Sequence, residues 1–333
     1  MTTLMRKSPC LSIIVPIYNE EPSISELHRR LTLAAEGFGV TYELLFVNDG
    51  SRDRSGILLR TLAEQDSRIR IVDFARNFGH QIAITAGMDY AQGDAVVVID
   101  ADLQDPPEVI GPMLAKWREG YDVVYAIRER REGDTFFKRS TAALFYRLLR
   151  RITSVDIPLD TGDFRLMSRR AIDAMKLFNE RNRFVRGLVS WIGFRQTGIT
   201  FVREERYAGE TKYPLKKMIR FALDGIVSFS FVPLQLATVF GFIASALSFL
   251  GILWAVYMRV FTNETIAGWT SLMVIVLFLG GVQMITLGII GEYIGRIYDE
   301  VKRRPLYLVQ ELIGFERGLA ASGESSLSSP PNR

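Results

Sequence analysis

The sequence of 333 residues holds one cysteine, Cys10, and two histidines, His28 and His80. A single thiol excludes an intrachain disulfide framework, and no Cys/His cluster has the spacing of a zinc site, so the chain suits a reducing compartment and Cys10 reads as a small buried apolar residue. Glycine-rich phosphate loops are missing too: neither G-x-G-x-x-G nor G-x-x-x-x-G-K-[ST] occurs in the strand–helix turns, which excludes a dinucleotide fingerprint and a P-loop there. The N-terminus lacks the h-region of a secretory signal, because its apolar run "SIIVPI" is short and broken by Pro16, and export of the first domain is not expected. Charge is absent from residues 225–258 and again from 265–291. Aperiodic sequence is confined to the C-terminal "GLAASGESSLSSPPNR" (318–333), a composition that cannot bury enough apolar surface to order itself.

What is present, 48% hydrophobic and 23% charged residues, is the composition of a folded protein. A net charge of +4 is compatible with nucleic acid, but the C-terminal third explains the basic residues better. Each uncharged run exceeds the roughly 20 apolar residues that a helix needs to cross about 30 Å of hydrocarbon. The short connection Arg259–Glu264 makes them a hairpin of two spans, 230–258 and 265–291. Lys212, Lys216, Lys217 and Arg220 precede the first, Arg296, Lys302, Arg303 and Arg304 follow the second, and the connection carries only Arg259. Positive-inside bias then predicts an integral inner or plasma membrane protein whose N-terminal domain (1–212), C-terminal segment (292–317) and both termini are cytoplasmic. Between domain and span, 213–229 sets Leu215, Met218, Ile219 and Ala222 on one face with Lys216, Lys217 and Arg220 largely off it, the pattern of a helix lying along anionic lipid.

Residues 8 to about 125 alternate strand and helix signals. "LSIIVPI", "YELLFVN", "IRIVDF" and "AVVVID" are β-rich runs separated by helix-length segments such as "SISELHRRLTLAAEGF" and "RSGILLRTLAEQ". This predicts an α/β domain with a Rossmann-like, mostly parallel sheet covered on both faces. Such sheets bind ligands outside the carboxyl ends of their strands, and here "YNEE", "NDGS" and "DADLQD" follow the first, second and fourth runs. Carboxylates in that place repel phosphate unless a cation intervenes. In an extended chain Asp100 and Asp102 point to one side with Ala101 opposite. Both could approach one Mg²⁺ or Mn²⁺, with Gln104 adding a neutral oxygen. Asp105, beside Pro106, is expected to shape the turn.

These residues resemble the inverting nucleotide-sugar glycosyltransferases of GT-A fold, and within them the polyprenyl-phosphate glycosyltransferases. "SIIVPIYNEE", "LLFVNDGSRDRS", "RNFGHQIAITAGMDYAQGD", "VVVIDADLQDPPE", "DTGDFRLMSRRA", "RFVRGLVSWIGFRQ" and "ERYAGETKYPLKKM" carry the likeness, in order, from about residue 10 to 315. It looks closest to bactoprenol glucosyltransferases, with dolichyl-phosphate mannose synthases and aminoarabinose transferases as relatives. The resemblance implies that Pro16, Tyr18, Glu20 and Ala101 belong to the nucleotide-sugar pocket and that Asp49 reads the base. It implies that Asp100, Asp102 and Gln104 hold metal and diphosphate, and that Asp163 and Asp102 are the catalytic carboxylates, Asp163 lying by sugar and acceptor. Arg128 and Arg139 match acceptor-phosphate positions, and Arg206 with Lys212 a basic segment near donor and membrane. His80 is expected to shape the site without acting as acid or base.

The implied reaction is transfer of a single glucose from UDP-glucose to polyprenyl (undecaprenyl) phosphate, by a homo-oligomer expected to be a tetramer. GDP-mannose or another nucleotide sugar is the alternative donor. A processive polysaccharide synthase is the runner-up, against which stand the order of "VSWIGFRQ", which is not Q-x-x-R-W, and the presence of only two spans. A membrane scaffold that kept the fold is the non-enzymatic alternative, and it would be expected to have lost the carboxylates.

Overall fold

The computed structural model describes residues 10–129, 161–178, 180, 181, 183–204, 232–261 and 268–315. They form two compact units: residues up to 204 together with 304–315, and the two long helices between. Three of the expected strand runs are matched residue for residue by β1 (Leu11–Ile17), β2 (Tyr42–Asn48) and β3 (Ile69–Phe74), and every residue in them is buried. Continuous burial along a strand requires cover on both faces of the sheet. The crossovers α1 (Ile24–Gly37), α2 (Ser55–Gln65) and α3 (His80–Tyr90) provide it, followed by β4 (Ala95–Val98), α4 (Ile110–Arg118) and β5 (Val123–Arg128). The first unit continues with β6 (Thr161–Ser168), α5 (Arg169–Lys176), α6 (Val185–Trp191) and β7 (Gln196–Phe201).

The odd positions of β1 (Leu11, Ile13, Val15, Ile17) join Ile24, Leu27 and Leu31 of α1, Leu59 of α2 and Ile110, Met113 and Leu114 of α4 in one core. The even positions face α3, whose Gly87 lies directly against Ile14. Pro16 is tolerated inside β1 because the ladder to β4 has ended at the bond from Ile99 N–H to the Ile14 carbonyl, so its missing N–H deprives no partner.

With the last strand, β8 (Val309–Ile313), the sheet has eight strands in the order β7-β5-β6-β4-β1-β2-β3-β8. It is mostly parallel, with β6 antiparallel to both its neighbours and β8 antiparallel to β3. The segment expected to be a separate C-terminal piece, 292–317, therefore divides: its first part is helical and its second completes the catalytic sheet. Tyr307 stacks on Phe74 with centroids 5.0 Å apart and donates to Asp89 at 2.8 Å, and Glu311 pairs with Arg60. The otherwise open edge of β3 is thereby covered.

The second unit consists of α7 (Val232–Phe261) and α8 (Trp269–Val301), of 30 and 33 residues. At 1.5 Å per residue they run for about 45 and 50 Å. Phe278–Val301 is long and apolar enough to cross a membrane, whereas the apolar stretch of α7, Ala237–Gly251, is shorter. The expected interfacial helix (213–229) and tail (318–333) lie outside the described residues.

Gly50, in the turn after β2, has φ +62°, and a Cβ there would stand 2.5 Å from the Arg76 carbonyl carbon and 2.6 Å from Asn77 N. Left-handed strain of about 1–2 kcal/mol adds to that backbone clash. Gly50→Ala should destabilise the domain by at least about 2 kcal/mol, measured as a lowered urea midpoint; an unchanged midpoint would show that the turn can yield.

Candidate active site

All the parallel strands end at one edge, which brings Tyr18 and Glu20 after β1, Asp49 after β2, Asp100 to Asp105 after β4 and Arg128 at the end of β5 to the same side. Asp163 arrives by the opposite route. It is the third residue of the antiparallel β6, whose beginning lies where its neighbours finish, with Thr161 opposite Ile127.

The Asp100–Asp102 pair is formed by a turn, which differs from the expected strand alternation. The ladder stops at Val98, and the chain bends through Ala101 and Leu103, which is left-handed at φ +58°. Leu103 is 2% exposed; burying a leucine contributes about 1.5–3 kcal/mol, which offsets the roughly 1–2 kcal/mol of left-handed strain. The turn is closed by Gln104 N–H donating to Asp102 Oδ1 at 3.1 Å. Asp100 Oδ1 is buried, accepts no hydrogen bond and stands 3.5 Å from His80 Nε2. Burial pushes the Asp100 carboxyl up, as do the charges of Asp163 and Asp102, against the pull of His80. Among the described residues no three His, Cys, Asp or Glu side chains make a complete metal cage. An unspent buried oxygen on one of two adjacent carboxylates still suits Mg²⁺ or Mn²⁺, which take one or two carboxylates and complete their shell with water and substrate phosphate.

Asp163, 4% exposed, is held from several sides. Arg186 Nε donates to Oδ1 at 2.8 Å, Arg186 Nη2 and Gln81 Nε2 donate to Oδ2 at 3.2 Å, and His80 Nε2 lies 3.2 Å from the same oxygen. Burial alone would raise this carboxyl, but Arg186 and His80 outweigh it and hold Asp163 well below the usual carboxylate range. Burial likewise lowers the His80 imidazole, yet Asp163 and Asp100 carry it up to about 9. Gln81 is oriented in turn by Val185 N–H, which donates to its Oε1 at 3.0 Å. Arg186 lies within the singled-out "RFVRGLVSW" segment, but no spacing rule joins it to Asp163 across 23 residues.

Asp105 lies at a bend, but its side chain makes no hydrogen bond that would close one. It is 1% exposed, neither of its oxygens accepts a hydrogen bond, and its Oδ1 stands 3.9 Å from both Arg128 Nη2 and Arg203 Nε. Burial, reinforced by Asp100 and opposed by the two arginines, moves its carboxyl up to about 6. Arg128 lies over Gly162, where a Cβ would meet Nη2 at 2.7 Å, so the glycine before Asp163 makes room for that guanidinium.

Of the residues expected around the nucleotide, Tyr18 is 38% exposed and Glu20 half-buried, whereas Pro16 and Ala101 are buried in the chain. Their loop is joined to the one after β2, since Asn19 N–H donates to Ser51 Oγ (3.1 Å) and Glu20 N–H to Ser55 Oγ (3.0 Å). Asp49, expected to read the base, sits at the end of β2 and ties down a neighbouring turn. Its two carboxylate oxygens accept Phe78 N–H at 2.6 Å, Gly79 N–H at 3.0 Å and Asn77 Nδ2–H at 2.8 Å, and at 2% exposure the group is committed to holding the turn that leads into α3. A cavity of about 480 Å³ lined by Asn48, Ser51, Arg52, Arg60 and Arg76 contains none of the expected site residues. Arg139, Arg206 and Lys212 lie outside the described residues.

With a folded pKa of about 9 against 6.5 for the free side chain, His80 adds stability that is complete below about pH 6.5 and fades as pH rises through 9. In the metal-free protein His80→Asn should flatten the fall in melting temperature between about pH 7 and 9; an undiminished fall would mean that His80 is not the imidazolium bridging Asp100 and Asp163.

Comparison with known proteins gives this geometry a context. Residues 12–175, which include all of the carboxylates above, match the model of Glycosyl transferase family 2, and residues 233–297 match the GtrB C-terminal hairpin. The uncharacterized glycosyltransferase YkcC of Bacillus subtilis is 60% identical over 305 residues, covering 92% of this chain and 94% of its own. The SfII prophage-derived bactoprenol glucosyl transferase of Shigella flexneri is 42% identical over 301 residues, covering 90% and 97%. Among solved structures, glucosyl-3-phosphoglycerate synthase from Mycobacterium tuberculosis in complex with Mn²⁺, UDP-glucose and phosphoglyceric acid superimposes with a TM-score of 0.42 at 19% identity, covering 65% of this chain and 76% of that one. The chain belongs to glycosyl transferase family 2, in the group that carries the GtrB C-terminal hairpin and includes the bactoprenol glucosyl transferases.

Proposed function

We propose that the protein transfers one glucose from UDP-glucose, with inversion, to a membrane polyprenyl phosphate such as undecaprenyl phosphate. The observation that carries this reading is the end-to-end likeness to bactoprenol glucosyl transferases, 42% identical over 301 residues and inclusive of the hairpin.

An oxygen of the acceptor phosphate bonds to the anomeric carbon from the face opposite the diphosphate, and the carbon–oxygen bond to the diphosphate breaks with its electron pair leaving on the nucleoside diphosphate. A phosphate monoester has a second pKa of about 6 and is already ionised at neutral pH, so the nucleophile needs no strong base. Asp163 fits that requirement. A carboxylate held ionised by Arg186 and His80 takes up a proton poorly, and it serves to orient Arg186 and His80 beside the sugar. Asp100, Asp102 and Gln104 would hold Mg²⁺ or Mn²⁺, which when bound neutralises the donor diphosphate and the charge that develops on the leaving group. Tyr18 and Glu20 flank the nucleotide, Arg206 and Lys212 attend the donor, and Arg128 with Arg139 receives the acceptor phosphate, where a planar guanidinium suits a phosphate better than a point charge.

The lipid tail stays in the bilayer, so the catalytic domain must work at its surface. α7 and α8 act as two spans with both termini cytoplasmic.

Full-length protein in detergent, supplied with Mg²⁺, undecaprenyl phosphate and a panel of labelled nucleotide sugars, should give a lipid-linked single glucose from UDP-glucose, and Asp102→Asn should lower the rate by at least about 100-fold. Absence of lipid-linked sugar from every donor would overturn the reading, and long polymer would replace it with processive synthesis. In inside-out vesicles, a cysteine placed at Thr262 in a Cys10→Ser background should resist membrane-impermeant maleimide, whereas one at Ser328 should react; the reverse pattern would invert the topology.

A further inference from the structure

Besides Asp100 Oδ1 and Arg165 Nε, the described residues at this edge keep buried polar atoms without hydrogen-bond partners on Asp105, Arg128 and Arg203. Among the described residues the other buried acids, Glu43, Asp49, Asp73, Asp122 and Asp163, each accept hydrogen bonds. Glu43 illustrates what full compensation looks like: Ser12 Oγ and Gln92 N–H donate to one oxygen and Arg70 Nε to the other. Asp105 accepts none, although two guanidiniums stand 3.9 Å from its Oδ1. That separation is too long for a hydrogen bond yet short enough for strong attraction. Both arginines retain a buried Nε–H without an acceptor, and about 30% of each side chain is open.

Strand order brings this trio together. Arg128 ends β5 opposite Phe201 of the parallel β7, and Arg203 follows two residues later, so neighbouring strands deliver both guanidiniums to the edge that carries Asp100 and Asp163. The Arg203 segment is fastened there, since Glu204 N–H donates to the Gln104 carbonyl at 3.0 Å and the Glu204 carboxylate accepts Arg30 at 2.7 and 3.0 Å. Gly162 leaves Arg128 its space. Two like charges are thus held beside each other across Asp105, and Asp102 and Asp100 also act on Arg203.

We propose that Arg128 and Arg203 form a two-arginine clamp for a phosphate group, with Asp105 as the positioning residue that keeps the two guanidiniums together before the phosphate arrives. This rests on the glycosyl-transfer reading and adds Arg203 and Asp105 to it. Paired guanidinium forks offer several parallel N–H donors at fixed spacing, the arrangement that a phosphate accepts in bidentate fashion. A phosphate supplies the acceptors that Asp105, at its distance, does not. The donor diphosphate and the lipid phosphate share this chemistry.

The test uses the full chain in detergent with Arg203→Gln, Arg203→Lys and Asp105→Asn variants. Inorganic phosphate should raise the melting temperature of the wild-type protein. The response should vanish in Arg203→Gln, return in part in Arg203→Lys, and grow in Asp105→Asn, where phosphate replaces the missing counter-charge. Because this readout needs no turnover, it stands even if no sugar donor proves active. Where transfer is measured, Arg203→Gln should raise one KM by about tenfold or more, as loss of a charged hydrogen bond predicts: that of the polyprenyl phosphate if the clamp serves the acceptor, that of the nucleotide sugar if it serves the donor. A phosphate response of wild-type size in Arg203→Gln with both KM values unchanged would sink the clamp, as would a wild-type protein indifferent to phosphate. Should Asp105→Asn fail to fold, the Arg203 pair of variants decides the matter alone.

Discussion

Repulsion among carboxylates gathered at one edge of the sheet is the constraint around which the catalytic domain is built. Asp100, Asp102, Asp105 and Asp163 stand close enough to perturb one another, and two unit charges about 4 Å apart interact by roughly 4 kcal/mol at an effective dielectric of 20. The protein answers with fixed cations at two poles of the cluster. Arg186 and His80 neutralise Asp163 from α6 and α3, and Arg128 and Arg203 face Asp105 from β5 and the end of β7. Between them Asp100 keeps a buried oxygen that accepts no hydrogen bond.

That arrangement depends on residues that touch no substrate. His80 is the first residue of α3, and the turn before it is shaped by Asp49, whose carboxylate collects the N–H groups of Phe78 and Gly79. Asp49 in turn sits in place because Gly50 lets the chain press on Arg76 and Asn77. A carboxylate at the end of β2 thus acts on chemistry at the end of β4 and the start of β6 through a helix start. Leu103 plays the matching part on the other side, its buried side chain fixing the turn that carries Asp102.

Much of this is readable from the chain alone. β1, β2 and β3 follow their apolar runs residue for residue because a strand buried on both faces reads as a near-continuous apolar run, with the few charges inside it, such as Glu43 and Arg70, paired to each other. The charge-free stretches overlap α7 and α8, although α8 runs ten residues beyond the second of them, to Val301. What escapes is non-local. β6 runs backwards through the middle of the sheet, and nothing in "TGDFRLMS" distinguishes a strand entering at the carboxyl edge from one leaving it. β8 adds itself to β3 after an excursion of more than a hundred residues since β7, so the helical hairpin is an insertion in the catalytic unit and not an appendage to it. Beside Pro106, Asp105 reads as a turn former, while the two arginines that face it are 23 and 98 residues away.

The sequence by itself determined the kind of protein this is: an α/β domain with acids at its strand ends, followed by two long charge-free stretches. Those properties are written in local pattern, in runs of apolar residues and in what interrupts them. Only the tertiary structure decided which charges meet. Electrostatic compensation acts over a few ångströms in space regardless of separation along the chain, so the partnership of Asp163 with Arg186, of Asp105 with Arg128 and Arg203, and of Asp49 with the start of α3 exists only once the strands have taken their order.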